Sequence, residues 1–311
     1  MLTRGLEAAE PELRRFRRLA LATGVATYLL VVLGGTVKAY GAGLACPDWP
    51  LCYGKVIPPF DFGVLLEWGH RVGGGVVSLM MLATAILGWP IKARAPWIGG
   101  GLLAAVALLM VQVVLGGVTV FMKNAAVATS THLGVAMAFL AVLLYLGTAG
   151  PGRGEVFEPR LRTLSFATML TAGALMVVGS YLKSTGGGMA CPDWPLCQGR
   201  LIPPFYHWHV LLHWIHRVGA LVLGVLILLT LAAAVRTQRS GIVGLCATAS
   251  GLYAIQAGLG AWAVFSILSP PVVALHLAVA AALFGSLVLA TVRTHSGSLD
   301  RGAGGFPLYG D

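Results

Sequence analysis

Four histidines stand in matched surroundings. His70 lies in Glu67-Trp68-Gly69-His70-Arg71 and His216 in His213-Trp214-Ile215-His216-Arg217, while His132-Leu133 is matched by His276-Leu277. All four fall in long apolar runs, where ionisable groups are costly and usually functional. Two neutral imidazoles at one depth on facing helices can bind an iron from opposite faces, and a four-helix core can house the macrocycle. The pairs His70/His132 and His216/His276 are therefore candidate haem ligands. The bland alternative is a histidine hydrogen-bonded to a neighbouring helix, which suits one intramembrane histidine better than a duplicated pair. Zinc fits less well, because neither half offers evident third and fourth ligands at that depth.

Around these histidines the halves differ at one position. Glu67 and His70, three apart, share a helix face. Beside a haem, Glu67 could accept a proton or stabilise positive charge; the alternative is a charge at a helix start. Its counterpart His213 cannot supply that charge, so chemistry is expected in the first half and a structural or electron-carrying haem in the second. Arg71 and Arg217 could pair with haem propionates or snorkel to headgroups. Cys46-Pro47-Asp48-Trp49-Pro50-Leu51-Cys52 recurs letter for letter at Cys191–Cys197. Each cysteine pair could be a structural staple or a redox pair, and Cys46 could instead bond to Cys191 or Cys197. Gln112 and Gln256 read as interhelical hydrogen-bonding groups. Lys38 and Lys183 read as snorkelling cations and Cys246 as a small buried hydrophobe. His207, His209 and His295 receive no role.

The elements that hold these residues follow from composition. Of 311 residues, 57% are hydrophobic and 10% charged, and the mean hydropathy is +0.84. A soluble domain carries roughly 25% charged residues, so this is an integral membrane protein. The net charge of +10 does not point to nucleic acid, because the basic residues flank apolar runs rather than forming a patch. Eight runs can cross a bilayer: Leu19–Tyr40, Val64–Trp89, Trp97–Met122, Val127–Ala149, Leu164–Ser184, Val210–Val235, Ile242–Ile267 and Pro271–Val292. Fourteen of the 21 Lys and Arg residues fall on the side of both termini and seven on the other. Both termini are therefore expected in the cytoplasm and the cysteine loops outside, in the inner or plasma membrane.

The chain is a tandem duplication. Besides the cysteine loop, Lys38 matches Lys183, Ile57-Pro58-Pro59-Phe60 matches Ile202-Pro203-Pro204-Phe205, and Gln112 matches Gln256. The expected fold is all-α, with eight transmembrane helices in two tandem four-helix bundles. Four helices per half is an even number, so the halves should be related by a pseudo-two-fold axis along the membrane normal. The divisions are 1–149, a cytoplasmic linker 150–162, 163–294 and a polar tail 295–311.

These residues together resemble the haem A synthases, which supply haem A to terminal cytochrome oxidases. The resemblance spans about Leu19 to Val292 and rests on Glu67-Trp68-Gly69-His70-Arg71, the cysteine loop, His132, His216 and His276. It implies oxidation of a ring methyl of haem O to a formyl group, giving haem A. It implies a substrate haem flanked by His70 and His132 with Glu67 serving the oxidation, and a resident haem b ligated by His216 and His276. Some members carry the cysteine pair only in the first half, which leaves the part played by Cys191 and Cys197 open. The partners implied are haem O and the enzyme that makes it, an electron acceptor the sequence does not identify, the lipid bilayer and a second copy of the chain. A dihaem electron-transfer cytochrome explains the four histidines equally but not the single Glu67. A thiol-oxidising membrane protein working with a quinone explains the cysteines but leaves the histidines idle.

Overall fold

The computed structural model describes residues 2–59, 61–93, 95–150 and 158–295, with side chains from residue 11 onward. Its described residues form eight long helices: α1 (Leu2–Ala39), α2 (Phe62–Gly88), α3 (Pro96–Phe121), α4 (Ala126–Thr148), α5 (Pro159–Ser184), α6 (Trp208–Arg236), α7 (Ser240–Phe265) and α8 (Pro270–His295). Each has a stretch apolar and long enough to cross a membrane. The eight expected runs correspond one to one with these helices. The clearest difference is at α1, which begins well before Leu19. Leu, Ala, Glu and Arg before the apolar run are good helix formers, so the helix continues beyond the stretch that hydropathy marks. The centre of the linker, 151–157, and the tail from 296 lie outside the described residues.

Helix starts are set locally. The Asp61 carboxylate accepts the Val64 N–H at 2.9 Å at the head of α2, and His207 Nδ1 accepts the His209 N–H at 3.2 Å at the head of α6. Proline at the first positions of α3 and α5 fits their starts.

Within each half, consecutive helices pack in a ring, α1-α2-α3-α4 and α5-α6-α7-α8, and the first helix closes on the fourth. The halves meet through α1 with α8, α4 with α5 and α4 with α8. A core of buried residues including Leu140, Phe284, Leu287 and Val288 fills this junction. Outer helices instead present Leu79, Leu103, Leu221 and Leu228 to the surroundings, as lipid-facing helices do. Polar bonds repeat across the duplication: Thr23 and Thr84 hydroxyls pair at 3.2 Å between α1 and α2, and Thr168 and Thr230 at 2.9 Å between α5 and α6. Each of these threonines is buried, and an unpaired hydroxyl would be penalised in lipid.

Candidate functional site

The two histidine pairs sit at matched depth. His70 and His216 are each eight residues beyond the first residue of α2 and α6, and His132 and His276 each six beyond that of α4 and α8. At about 1.5 Å per residue, both lie some two turns from the end of the bundle that carries the cysteine loops. His70 and His132 are close enough to interact electrostatically, as are His216 and His276. Glycines make room for the rings. A Cβ on Gly34 of α1 would come within 2.8 Å of His70 Cε1, and one on Gly179 of α5 within 2.9 Å of His216 Cε1. Gly116 of α3 and Gly260 of α7 face His132 and His276 in the same way, at 3.6 and 3.4 Å.

Gln112 Nε2 lies 3.2 Å from His132 Nε2, and Gln256 Nε2 lies 3.1 Å from His276 Nε2. An amide nitrogen can only donate, so each imidazole nitrogen accepts and presents its lone pair toward the bundle. The sequence alone points these glutamines to interhelical bonding without identifying the partner. The signal was available: each is twenty residues before the histidine it meets, and both pairs are duplicated.

Nδ1 of all four histidines is buried without a hydrogen-bond partner, as is Oε1 of both glutamines. Buried polar atoms are nearly always paired. These six atoms lie at equivalent places in the two bundles, so each half has unsatisfied polar capacity beside its histidine pair. Among the described residues no three His, Cys, Asp or Glu side chains gather as a metal-binding set. A haem iron, which takes four bonds from its macrocycle, needs only the two imidazoles each bundle provides. The residues fit a haem in each half.

The remaining residues of the Glu67–Arg71 segment face the cysteine loop. Glu67 is 5% exposed; its Oε2 accepts the Cys46 N–H at 2.8 Å and its Oε1 the Arg71 guanidinium at 2.7 Å. Arg71 also donates to the carbonyls of Asp48 at 2.6 Å, Cys46 at 3.2 Å and Leu51. Trp68 Nε1 donates to Val56 O at 2.8 Å. In the second half His213 Nδ1 accepts the Cys191 N–H at 3.3 Å. Arg217 donates to Cys191 O at 2.9 Å and to Leu196 O, and Trp214 Nε1 to Leu201 O at 2.8 Å. Glu67 and His213 thus accept the same loop amide, and only the first acceptor is a carboxylate in an ion pair.

Each loop is closed internally, by Cys46–Cys52 and by Cys191–Cys197, so the alternative of bonds between halves does not occur. Asp48 accepts the N–H groups of Tyr53 and Gly54 at 2.6 and 2.7 Å, and Asp193 those of Gln198 and Gly199, both at 2.7 Å. Tyr53 and Gly54 have φ of 55° and 67°, the left-handed pair that Gly makes tolerable in a tight turn. The Gly54 amide, then that of Tyr53, with the charge of Arg71 nearby, hold the Asp48 carboxyl below the usual carboxylate range.

One asymmetry had no sequence signal short of aligning the halves. A Cβ on Gly117 of α3 would come within 3.2 Å of the Trp49 ring, so the first loop lies down on its bundle. Ala261 takes the place of Gly117 in α7, and Trp194 is 46% exposed. Lys38 and Lys183 lie at the ends of α1 and α5, Cys246 is buried and free of disulfide, and the His207 and His209 rings stack at the head of α6.

Comparison with known proteins agrees with this architecture. Residues 17–62 and 205–306 match the COX15-CtaA family model, described as cytochrome oxidase assembly protein. A heme A synthase of Symbiobacterium thermophilum is 31% identical over 267 residues, 80% of this chain and 85% of that one. A heme A synthase of Exiguobacterium sibiricum is 31% identical over 285 residues, 86% and 93% of the two chains. Another from Exiguobacterium sp. is 28% identical over 284 residues, 87% and 91%.

Proposed function

This chain belongs to the haem A synthase family of cytochrome oxidase assembly proteins, and from that membership we propose how its two halves divide the work of converting haem O to haem A in the membrane. The half 1–149 takes haem O as substrate between His70 and His132. The half 163–294 holds a resident haem b between His216 and His276, and 150–162 and 295–311 serve as linker and tail. Reciprocal packing of α1 on α8 and α4 on α5 supports a pseudo-two-fold axis relating the halves. The excess of Lys and Arg on the side of the termini supports placing both termini in the cytoplasm and the cysteine loops outside.

The observation that carries this division is the exchange of Glu67 for His213 within an otherwise repeated frame. When bound, haem supplies the redox chemistry that side chains lack. What this chain supplies is placement, charge and exclusion of water. The imidazoles of each pair would hold the bound group, and Gln112 and Gln256 orient the rings of His132 and His276. Glu67, one turn from His70, would place negative charge and a proton-accepting oxygen at the edge of the first site, where they would stabilise positive charge developing at the methyl carbon being oxidised. Its other oxygen is paired with the Arg71 guanidinium at 2.7 Å. Trp49 on Gly117 draws the first loop over its bundle and limits water entry from that end. Arg71 has four hydrogen bonds within the loop and its anchor, whereas Arg217 donates to the Leu196 and Cys191 carbonyls. Arg217 is the better placed of the two to reach a haem propionate.

Extraction and chromatography of the pigments of the purified protein test this reading. Haem O, haem A or a hydroxylated intermediate beside haem b is the expected result. Haem b alone, even when haem O is supplied, would instead make the protein a dihaem electron carrier.

A further inference from the structure

A cleft of about 280 Å³ opens at the seam between the halves, on the side of α4 away from His132. Val127, Ser130 and Thr131 of α4 form one wall, Val177, Val178 and Tyr181 of α5 another, and Leu212 of α6 the third. Leu212 is one helical turn before His216, and Ser130 is two residues before His132, so the cleft stands between the two histidine sites. Its lining surface is mainly apolar; Ser130, Thr131 and Tyr181 bring hydroxyls to it, and that of Ser130 lies deepest. Ser130 is 3% exposed and its hydroxyl has no hydrogen-bond partner, although a helical serine ordinarily bonds back to its own helix. In α8, Ala274 stands at the place corresponding to Ser130, so the hydroxyl is no inheritance of the duplication. An unpartnered buried hydroxyl in a mainly apolar cleft is a polar anchor for a mainly apolar ligand.

The walls limit the shape of that ligand. Toward the cysteine-loop end, Thr129 and Ser184 hydroxyls pair at 3.1 Å and tie α4 to α5. Away from it, Gly134 lets α4 approach so closely that a Cβ would sit 3.1 Å from Val177. Between these ties the seam is about 8 Å tall along α4 and about 10 Å along α5, at 1.5 Å per residue. A lipid chain lying along the helices would have to pass the Gly134 contact; a ring with a carbonyl on its edge fits between the ties and can trail a tail through the open side. We propose that this cleft binds the ring of an isoprenoid quinone, with the Ser130 O–H donating to a quinone carbonyl oxygen. The proposal rests on the haem A synthase reading, because that reaction requires an electron acceptor. With water as the oxygen source, the methyl loses four electrons and four protons on becoming the formyl group, and two quinones take these up as two quinols.

A photoreactive short-chain quinone incubated with the full haem-loaded protein in nanodiscs tests the site without reference to turnover. Adducts are expected on the segments 127–131 and 177–181, displaced by unlabelled quinone. Ser130→Ala should weaken quinone binding about fivefold, the loss of one hydrogen bond. Val178→Trp should fill the cleft and abolish labelling, with the haem spectrum unchanged in both variants. Adducts elsewhere, or cleft adducts displaced equally well by phospholipid, would overturn the proposal, as would an unaltered affinity in Ser130→Ala. The two readings fail separately. Haem A formed with a soluble chemical acceptor while the quinone does not bind removes the cleft assignment alone. Quinone labelling of the cleft in a protein that never converts haem O removes the reaction instead.

Discussion

Glu67 has both carboxylate oxygens engaged, by the Cys46 amide and by Arg71, so its substitution separates a structural from a chemical role. Glutamine keeps an acceptor for the amide but loses the charge and the proton-accepting oxygen. Glu67→Gln should therefore keep its haem b and bind haem O, yet lose roughly 10²–10⁴ in rate, the usual range for a lost general base. His213→Gln, which disturbs the same amide in the other loop, should be far milder. Chromatography of bound haems reports both, and equal losses would mean that loop anchoring, not charge, is what Glu67 provides. The histidines give a second test. His216→Ala or His276→Ala removes one imidazole of a buried pair, and the low-spin haem b absorption should disappear from each. Survival of that spectrum in both variants would move haem b elsewhere.

At the scale of elements, the fit between helices sets what a ligand can meet. Gly179 leaves no room for a methyl group beside His216, whereas Gly116 does beside His132. Gly179→Ala should displace the imidazole and lower haem b content, and Gly116→Ala should leave haem content near the wild-type level; pyridine haemochrome assays of the two purified variants measure it. The loops are elements with their own titration. Asp48 holds its turn as a carboxylate, and the turn's N–H bonds depress its folded pKa below the ordinary 3.8. A depressed carboxylate stabilises fully above the unfolded value and loses that effect as pH falls through the folded one. Protection of the Tyr53 and Gly54 amides from hydrogen exchange should hold from neutral pH down to about 3.8 and collapse below it. Asp48→Asn should flatten that dependence, and a wild-type loop equally protected at all pH values would show that the disulfide alone holds it.

For the whole molecule, the duplicated halves share a junction through α1, α4, α5 and α8, and by sequence 14 of the 21 Lys and Arg residues fall on the side of the termini. The orientation proposed from that asymmetry predicts that an impermeant thiol reagent, applied to intact cells after reduction, modifies Cys46 or Cys52. Modification only after the membrane is opened would invert the protein. Equivalent positions in α2 and α6 and in α4 and α8 bring the two histidine pairs to one end of the bundle.

The eight spans, the duplication, the four histidines and the lone carboxylate were legible in the chain itself. Hydropathy reports transfer into lipid residue by residue, and a tandem copy preserves residue types at fixed offsets; neither needs a partner helix to be known. What those side chains touch was settled only by packing. Arg71 and Trp68 turn to the cysteine loop, Gln112 meets His132, and each disulfide closes within its own loop. Trp49 lies on Gly117 while its counterpart Trp194 stands exposed. Such pairings depend on helix rotation and on the approach distance that individual glycines allow, quantities that exist only between elements.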